Sequence, residues 1–132
     1  MVGGRHLALP MERYETLESF GESNGAFIEV GTEVGAEAVE DALAQAGLKP
    51  SDVDAIFFAS VTGISAPSID AKLVNRLGFR SDIKRIPIFG LGCVAGAAGT
   101  ARLYDYLRAW PDHVAVLLLS LIHISEPTRR YE

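Results

Sequence analysis

The chain contains a single cysteine, set in a run where a thiol could do chemistry: Phe89-Gly90-Leu91-Gly92-Cys93-Val94-Ala95-Gly96. An apolar stretch precedes it and a stretch rich in small residues follows. Cys93 therefore reads as the junction between a strand and a helix. At a helix N-terminus the backbone N–H groups lack intrahelical partners, and the positive end of the dipole favours the thiolate, which is the nucleophilic form. The same N–H groups can polarise a thioester carbonyl whose oxygen becomes negative as sulfur attacks. Gly90 and Gly92 permit a sharp turn and leave space for a substrate. On these residues alone two readings stay open: an activated nucleophile, or an inert cysteine buried in a strand-to-helix turn.

Composition narrows the classes of function. One cysteine excludes an internal disulfide and a Cys-rich zinc site, so no structural metal is expected. A net charge of -5 argues against a general nucleic-acid binder, because phosphate backbones call for a basic surface. Glu29, Glu33, Glu37, Glu40 and Asp41 read as the solvated face of a helix and are assigned no chemistry. No apolar run approaches the roughly 18 to 20 residues that cross a bilayer, and residues 1–10 lack the layout of a signal peptide. The expectation is a cytoplasmic protein with no membrane contact.

The elements that must position Cys93 follow from periodicity and punctuation. The 132 residues, 48% hydrophobic and 22% charged, suit one globular α/β unit. Phe27, Val30, Gly31, Val34, Ala38, Ala42 and Leu43 recur at helical spacing and predict a helix over 24–46, capped by Ser23 or Asn24 and ended by Gly47. Its small residues suit tight packing against a sheet. Short apolar runs predict strands at 54–60, 83–89 and 113–119. Between them lie a loop at 61–67, a helix at 68–77 stopped by Gly78, the turn at Cys93, and a helix at 94–110. The near-wholly apolar third strand fits a sheet covered by helices on both faces. After Leu119 the text resembles the translated read-through of a transposase-type sequencing adapter. Residues 120–132 are accordingly expected to be a non-native tail, with the natural protein continuing differently.

The residues Ile86-Pro87-Ile88-Phe89-Gly90-Leu91-Gly92-Cys93-Val94-Ala95-Gly96-Ala97-Ala98-Gly99 closely resemble the nucleophile segment of bacterial type III polyketide synthases, the chalcone synthase-like enzymes. Val61-Thr62-Gly63-Ile64-Ser65-Ala66-Pro67-Ser68-Ile69-Asp70 is similar to a second family segment, and Arg5-His6-Leu7-Ala8-Leu9-Pro10 to a third. The resemblance runs over residues 5–119. It implies a thiolase-like layered α/β fold, present here in part as the N-terminal half only, with residues 1–119 forming a partial N-terminal domain.

The resemblance also implies a homodimer that uses acyl-CoA and malonyl-CoA as substrates, with no further cofactor. By resemblance Cys93 carries the starter acyl group, Thr62 lines the substrate cavity, and Ala66 reaches into the partner subunit's cavity. The family's catalytic histidine and asparagine lie far downstream of the cysteine. His6, His113 and His123 do not match that histidine. The basic residues that hold coenzyme A phosphates in the family lie mainly before Arg5, which makes Met1 an internal start on this reading. Two alternatives stand beside it: a related ketoacyl synthase III, and a truncated fragment without catalytic activity. The text from Phe89 to Gly96 favours the polyketide family.

Overall fold

Strands joined through helices run parallel, because each crossover returns the chain to the same edge of the sheet. In the computed structural model, which describes residues 9–120, three strands do so. They are β1 (Ala55–Ser60), β2 (Lys84–Phe89) and β3 (Ala115–Ser120), all parallel in the order β2-β1-β3. The upstream segment at Arg5 and His6 lies outside the described residues, as does the expected tail after Ser120. Ser120 itself, expected to start that tail, is the last residue of β3 and pairs with Ser60.

The helices are α1 (Met11–Glu15), α2 (Phe20–Ala46), α3 (Ile69–Leu77) and α4 (Ala95–Ala109). Side chains alternate across a strand, and the two faces meet different helices. Ile56 and Phe58 join Val39, Leu43 and Leu73 in the core, with Val116 and Leu118 packed against it, so α2 and α3 cover one face. On the other face Phe57 meets Tyr106 of α4 edge-on at 5.8 Å, and Gly99 lies against Leu117. The result is three layers. β1, flanked on both edges and both faces, is buried at every residue, which is why it reads as an unbroken apolar run.

Pro87 shows how the register is kept. The Lys84 N–H donates to Asp54 O at 2.9 Å. In the alternating parallel ladder, Arg85, Pro87 and Phe89 then turn their backbone groups away from β1. A residue with no N–H is tolerated at such an outward position.

Two expectations for α2 need correction. The helix begins four residues earlier than periodicity suggested, and its cap is Ser19. The Glu22 N–H donates to Ser19 Oγ at 3.2 Å, and the Ser19 N–H donates to Glu22 Oε2 at 3.1 Å, a capping box. The buried stripe is also rotated. It comprises Phe27, Gly31, Gly35, Ala36, Val39 and Leu43, whereas Val34, Ala38 and Ala42 are exposed. The small residues at the contact decide this: Gly31 faces Ile69 of α3, and Gly35 faces Leu73 and Leu118. The acidic residues from Glu29 to Asp41 named above are all exposed, as expected of a solvated face.

β3 starts two residues later than expected, at Ala115, and Asp54 braces its entry. The Val114 N–H donates to Asp54 Oδ2 at 2.9 Å, and Arg80 Nη2 donates to Oδ1 at 3.0 Å. The Val114 N–H holds the Asp54 carboxyl below the usual carboxylate range; burial works against this, and Arg80 adds to it. A carboxyl depressed in the folded state stabilises the fold above its unfolded pKa, and that stabilisation is lost as pH falls through the folded value. Asp54→Asn is therefore expected to cost about 1–2 kcal/mol at neutral pH. The gap from the unsubstituted chain should close as pH drops below about 4. Urea denaturation between neutral and acid pH checks this, and a gap that does not change with pH rejects the brace.

Candidate active site

β2 ends at Phe89, and the chain must turn sharply before α4 begins at Ala95. Gly90 (φ 90°) and Gly92 (φ 55°) make that turn in the left-handed region, which a side chain would oppose. Cys93 follows in a tight 3-10 turn, Gly92–Val94, closed by the Ala95 N–H donating to Gly92 O. The sequence predicts a helix start at Val94; α4 instead begins at Ala95, and the short 3-10 turn sets Cys93 two residues ahead of it. Cys93 is exposed in this segment rather than buried in the turn. No side chain caps α4, and its first turn holds no acidic residue. Among the described residues no capping side chain competes for the N–H groups beside the thiol.

Parallel pairing carries a second segment to the same place. Ser60 at the end of β1 pairs with Phe89 at the end of β2, so the 61–68 loop and the Cys93 turn leave the same sheet edge. This is the carboxyl edge, where open parallel sheets bind their ligands. A cleft of about 380 Å³ opens there, between Phe27, Phe58 and Ser60, residues 63–69, and residues 87–89. Its lining is mostly apolar. Ala66 lines the cleft, whereas Thr62 is exposed and does not, and Cys93 lies outside the lining, past Phe89.

His113 is at the opposite edge. It precedes β3 rather than beginning it, stacks on Trp110 at 4.9 Å, and shares a 2.6 Å hydrogen bond through Nδ1 with Tyr106 Oη. A six-residue strand spans about 20 Å, so His113 cannot reach Cys93. His6 and His123 lie outside the described residues. Among the described residues no group of His, Cys, Asp and Glu could hold a metal, and no helix is long and apolar enough to cross a membrane.

Periodicity missed the residues that hold the loop. Asn24, a candidate helix cap by sequence, sits inside α2 with its side chain on the backbone N–H and C=O of Ile64. Phe27 packs so closely on Gly63 that a Cβ there would overlap its ring. Fully buried Asp70, the second residue of α3, accepts from Arg85 Nη1 of β2 at 3.1 Å and ties the cleft wall to the strand that leads to Cys93.

The family described as FAE1/type III polyketide synthase-like protein matches residues 9–127. The chain belongs to that family. It is 54% identical over 117 residues to the 1,3,6,8-tetrahydroxynaphthalene synthase of Streptomyces peucetius subsp. caesius, a match covering 89% of this chain and 31% of the relative. The crystal structure of the synthase of that name from Streptomyces coelicolor A3(2), a bacterial type III polyketide synthase, superposes with a TM-score of 0.81 at 35% identity. That match covers 87% of this chain and 33% of the other. Germicidin synthase from Streptomyces coelicolor, also a type III polyketide synthase, gives a TM-score of 0.75 at 28% identity, covering 86% of this chain and 32% of the other. The chain thus holds part of the thiolase-like layered fold, and spans about a third of the length of the relatives it matches.

Proposed function

We propose that the full-length protein carrying this segment is a type III polyketide synthase, an acyltransferase in which Cys93 holds the growing chain. The observation that carries the reading is an exposed thiol on a glycine turn at an uncapped helix N-terminus, on the sheet edge that also bears the 61–68 loop. The Cys93 sulfur attacks the carbonyl of an acyl-CoA, forming a new thioester while the coenzyme A thiolate leaves and takes up a proton. Malonyl-CoA then loses CO₂, and the resulting enolate carbon attacks the Cys93 thioester. That step releases the Cys93 thiolate and leaves a β-ketoacyl-CoA two carbons longer. The helix N–H groups would steady the oxyanion of each tetrahedral intermediate. On this reading the substrates are acyl-CoA and malonyl-CoA, no further cofactor takes part, the enzyme is a cytoplasmic homodimer, and Thr62 and Ala66 belong to the substrate cavities.

Full-length protein given malonyl-CoA and a series of acyl-CoA starters is expected to form pyrone or resorcinol products without an acyl carrier protein. A strict carrier-protein requirement would reject the reading in favour of a ketoacyl synthase III. The 132-residue chain alone is expected to give no product, since the family's catalytic histidine and asparagine have no counterpart in it. Condensation by the purified chain would overturn that assignment.

A further inference from the structure

We infer that Asn24 is a positioning residue for the proposed synthase: it clamps the 61–66 wall and sets where that wall stands relative to the Cys93 turn. The inference rests on the polyketide reading of that wall. Asn24 Nδ2 donates to Ile64 O at 2.8 Å, and the Ile64 N–H donates to Asn24 Oδ1 at 2.8 Å. The two bonds join residues 40 apart in the chain, edge to edge as two strands would pair. They hold the peptide groups on both sides of the Ile64 Cα, and so fix the backbone orientation there as well as its distance. Among short side chains only an amide offers a donor and an acceptor in one plane, so Ser, Thr or Asp cannot reproduce the pair. The opposite amide orientation would set N–H against N–H and O against O, which leaves one assignment.

The neighbouring residues are held as well. Ser60 Oγ donates to Gly63 O at 2.6 Å, Phe27 packs on Gly63 one helical turn from Asn24, and Ser65 Oγ donates to Pro67 O at 2.6 Å. Those ties are local to the loop or purely steric. Asn24 alone among them links the loop backbone to α2 by polar bonds, and it does so midway between Thr62 and Ala66. Loss of the clamp would let the wall drift without unfolding the domain, because α2 keeps its capping box and its buried stripe.

The test measures two things in full-length protein: hydrogen exchange of peptides covering residues 61–66, and the ratio of the main product to shorter by-products. In Asn24→Ala, exchange there is expected to rise about tenfold, the factor that about 1.4 kcal/mol of lost hydrogen bonding carries. The denaturation midpoint should fall by no more than that lost hydrogen bonding accounts for. The product ratio should fall severalfold, within the range of about 10²-fold that a 1 Å misplacement can cost. Asn24→Asp, which keeps the acceptor but sets a carboxylate oxygen against Ile64 O, should do no better than Asn24→Ala. Unchanged exchange overturns the inference, and so does faster exchange with an unchanged product ratio, which would mark a merely structural tie. A wild-type protein that forms no condensation product brings down the polyketide reading and the positioning role with it. An active wild type whose Asn24→Ala variant behaves identically brings down the inference alone.

Discussion

Full-length protein with Cys93→Ala is expected to lose product formation by at least about 10⁴-fold, as enzymes do when a covalent nucleophile is removed. The size of the effect comes from the chemistry the thiol supplies. A thiolate attacks a thioester carbonyl readily, and the acyl group it takes up stays a thioester, reactive enough for a carbon nucleophile. Cys93→Ser should not rescue activity, because a hydroxyl at the same turn is a weaker nucleophile and its ester resists enolate attack. Two readouts separate loss of chemistry from loss of fold. Intact-mass measurement after incubation with an acyl-CoA should show one acyl group on the wild type, carried by the Cys93 peptide, and none on either variant. Circular dichroism should be the same for all three, since Cys93 is exposed in this segment. An acyl group on another residue, or turnover by the alanine variant, would remove Cys93 from the proposed mechanism.

What could be read from the sequence follows from how local each signal is. β1, β2 and α3 are bounded by Gly, Pro and Asp over a few residues, and their limits were readable to within a residue. The sequence places β3 two residues early because His113 and Val114 lead straight into its apolar run, yet His113 is spent on Trp110 and Tyr106. Periodicity starts α2 late because the capping box, Ser19 with Glu22, precedes the apolar pattern at Phe27. On α2 the spacing finds Phe27, Gly31 and Leu43, which are buried, but also takes in Val34, Ala38 and Ala42, which keep the same spacing as Gly35, Val39 and Leu43, and passes over Ala36 and Val39.

The site divides along the same line. Cys93 and its turn are contiguous, so glycine spacing reveals them. That Cys93 shares a sheet edge with the 61–68 loop depends on the pairing of β1 with β2, and the Asn24 clamp depends on a contact across 40 residues. Neither leaves a periodic trace in the sequence. Asn24 near a helix start reads as a cap because that is the commonest local use of the residue. Its distant use appears only once Ile64 has been brought to it.

Gly63→Ala is expected to be the most damaging single methyl that can be added to the cleft wall, costing about 3 kcal/mol, the upper end for overpacking. Gly63 is buried, and a Cβ there would overlap the edge of the Phe27 ring, which is itself packed in the core. Neither partner can yield cheaply: Phe27 sits on the rigid α2, and Gly63 is held by Ser60 on one side and through Ile64 by Asn24 on the other. Gly25→Ala is the control. Among the described residues nothing lies within 4 Å of a Cβ at Gly25, inside the same helix, so that change should stabilise by about 0.5–1 kcal/mol through helix propensity. A double-mutant cycle isolates the contact. Phe27→Leu shortens the side chain that the new methyl would strike, so with Gly63→Ala it should cost at least about 1 kcal/mol less than the two single costs added together. Strict additivity in denaturant melts would mean that the loop, rather than the ring, gives way. The cleft wall would then be held more loosely than its contacts with Phe27, Ser60 and Asn24 require.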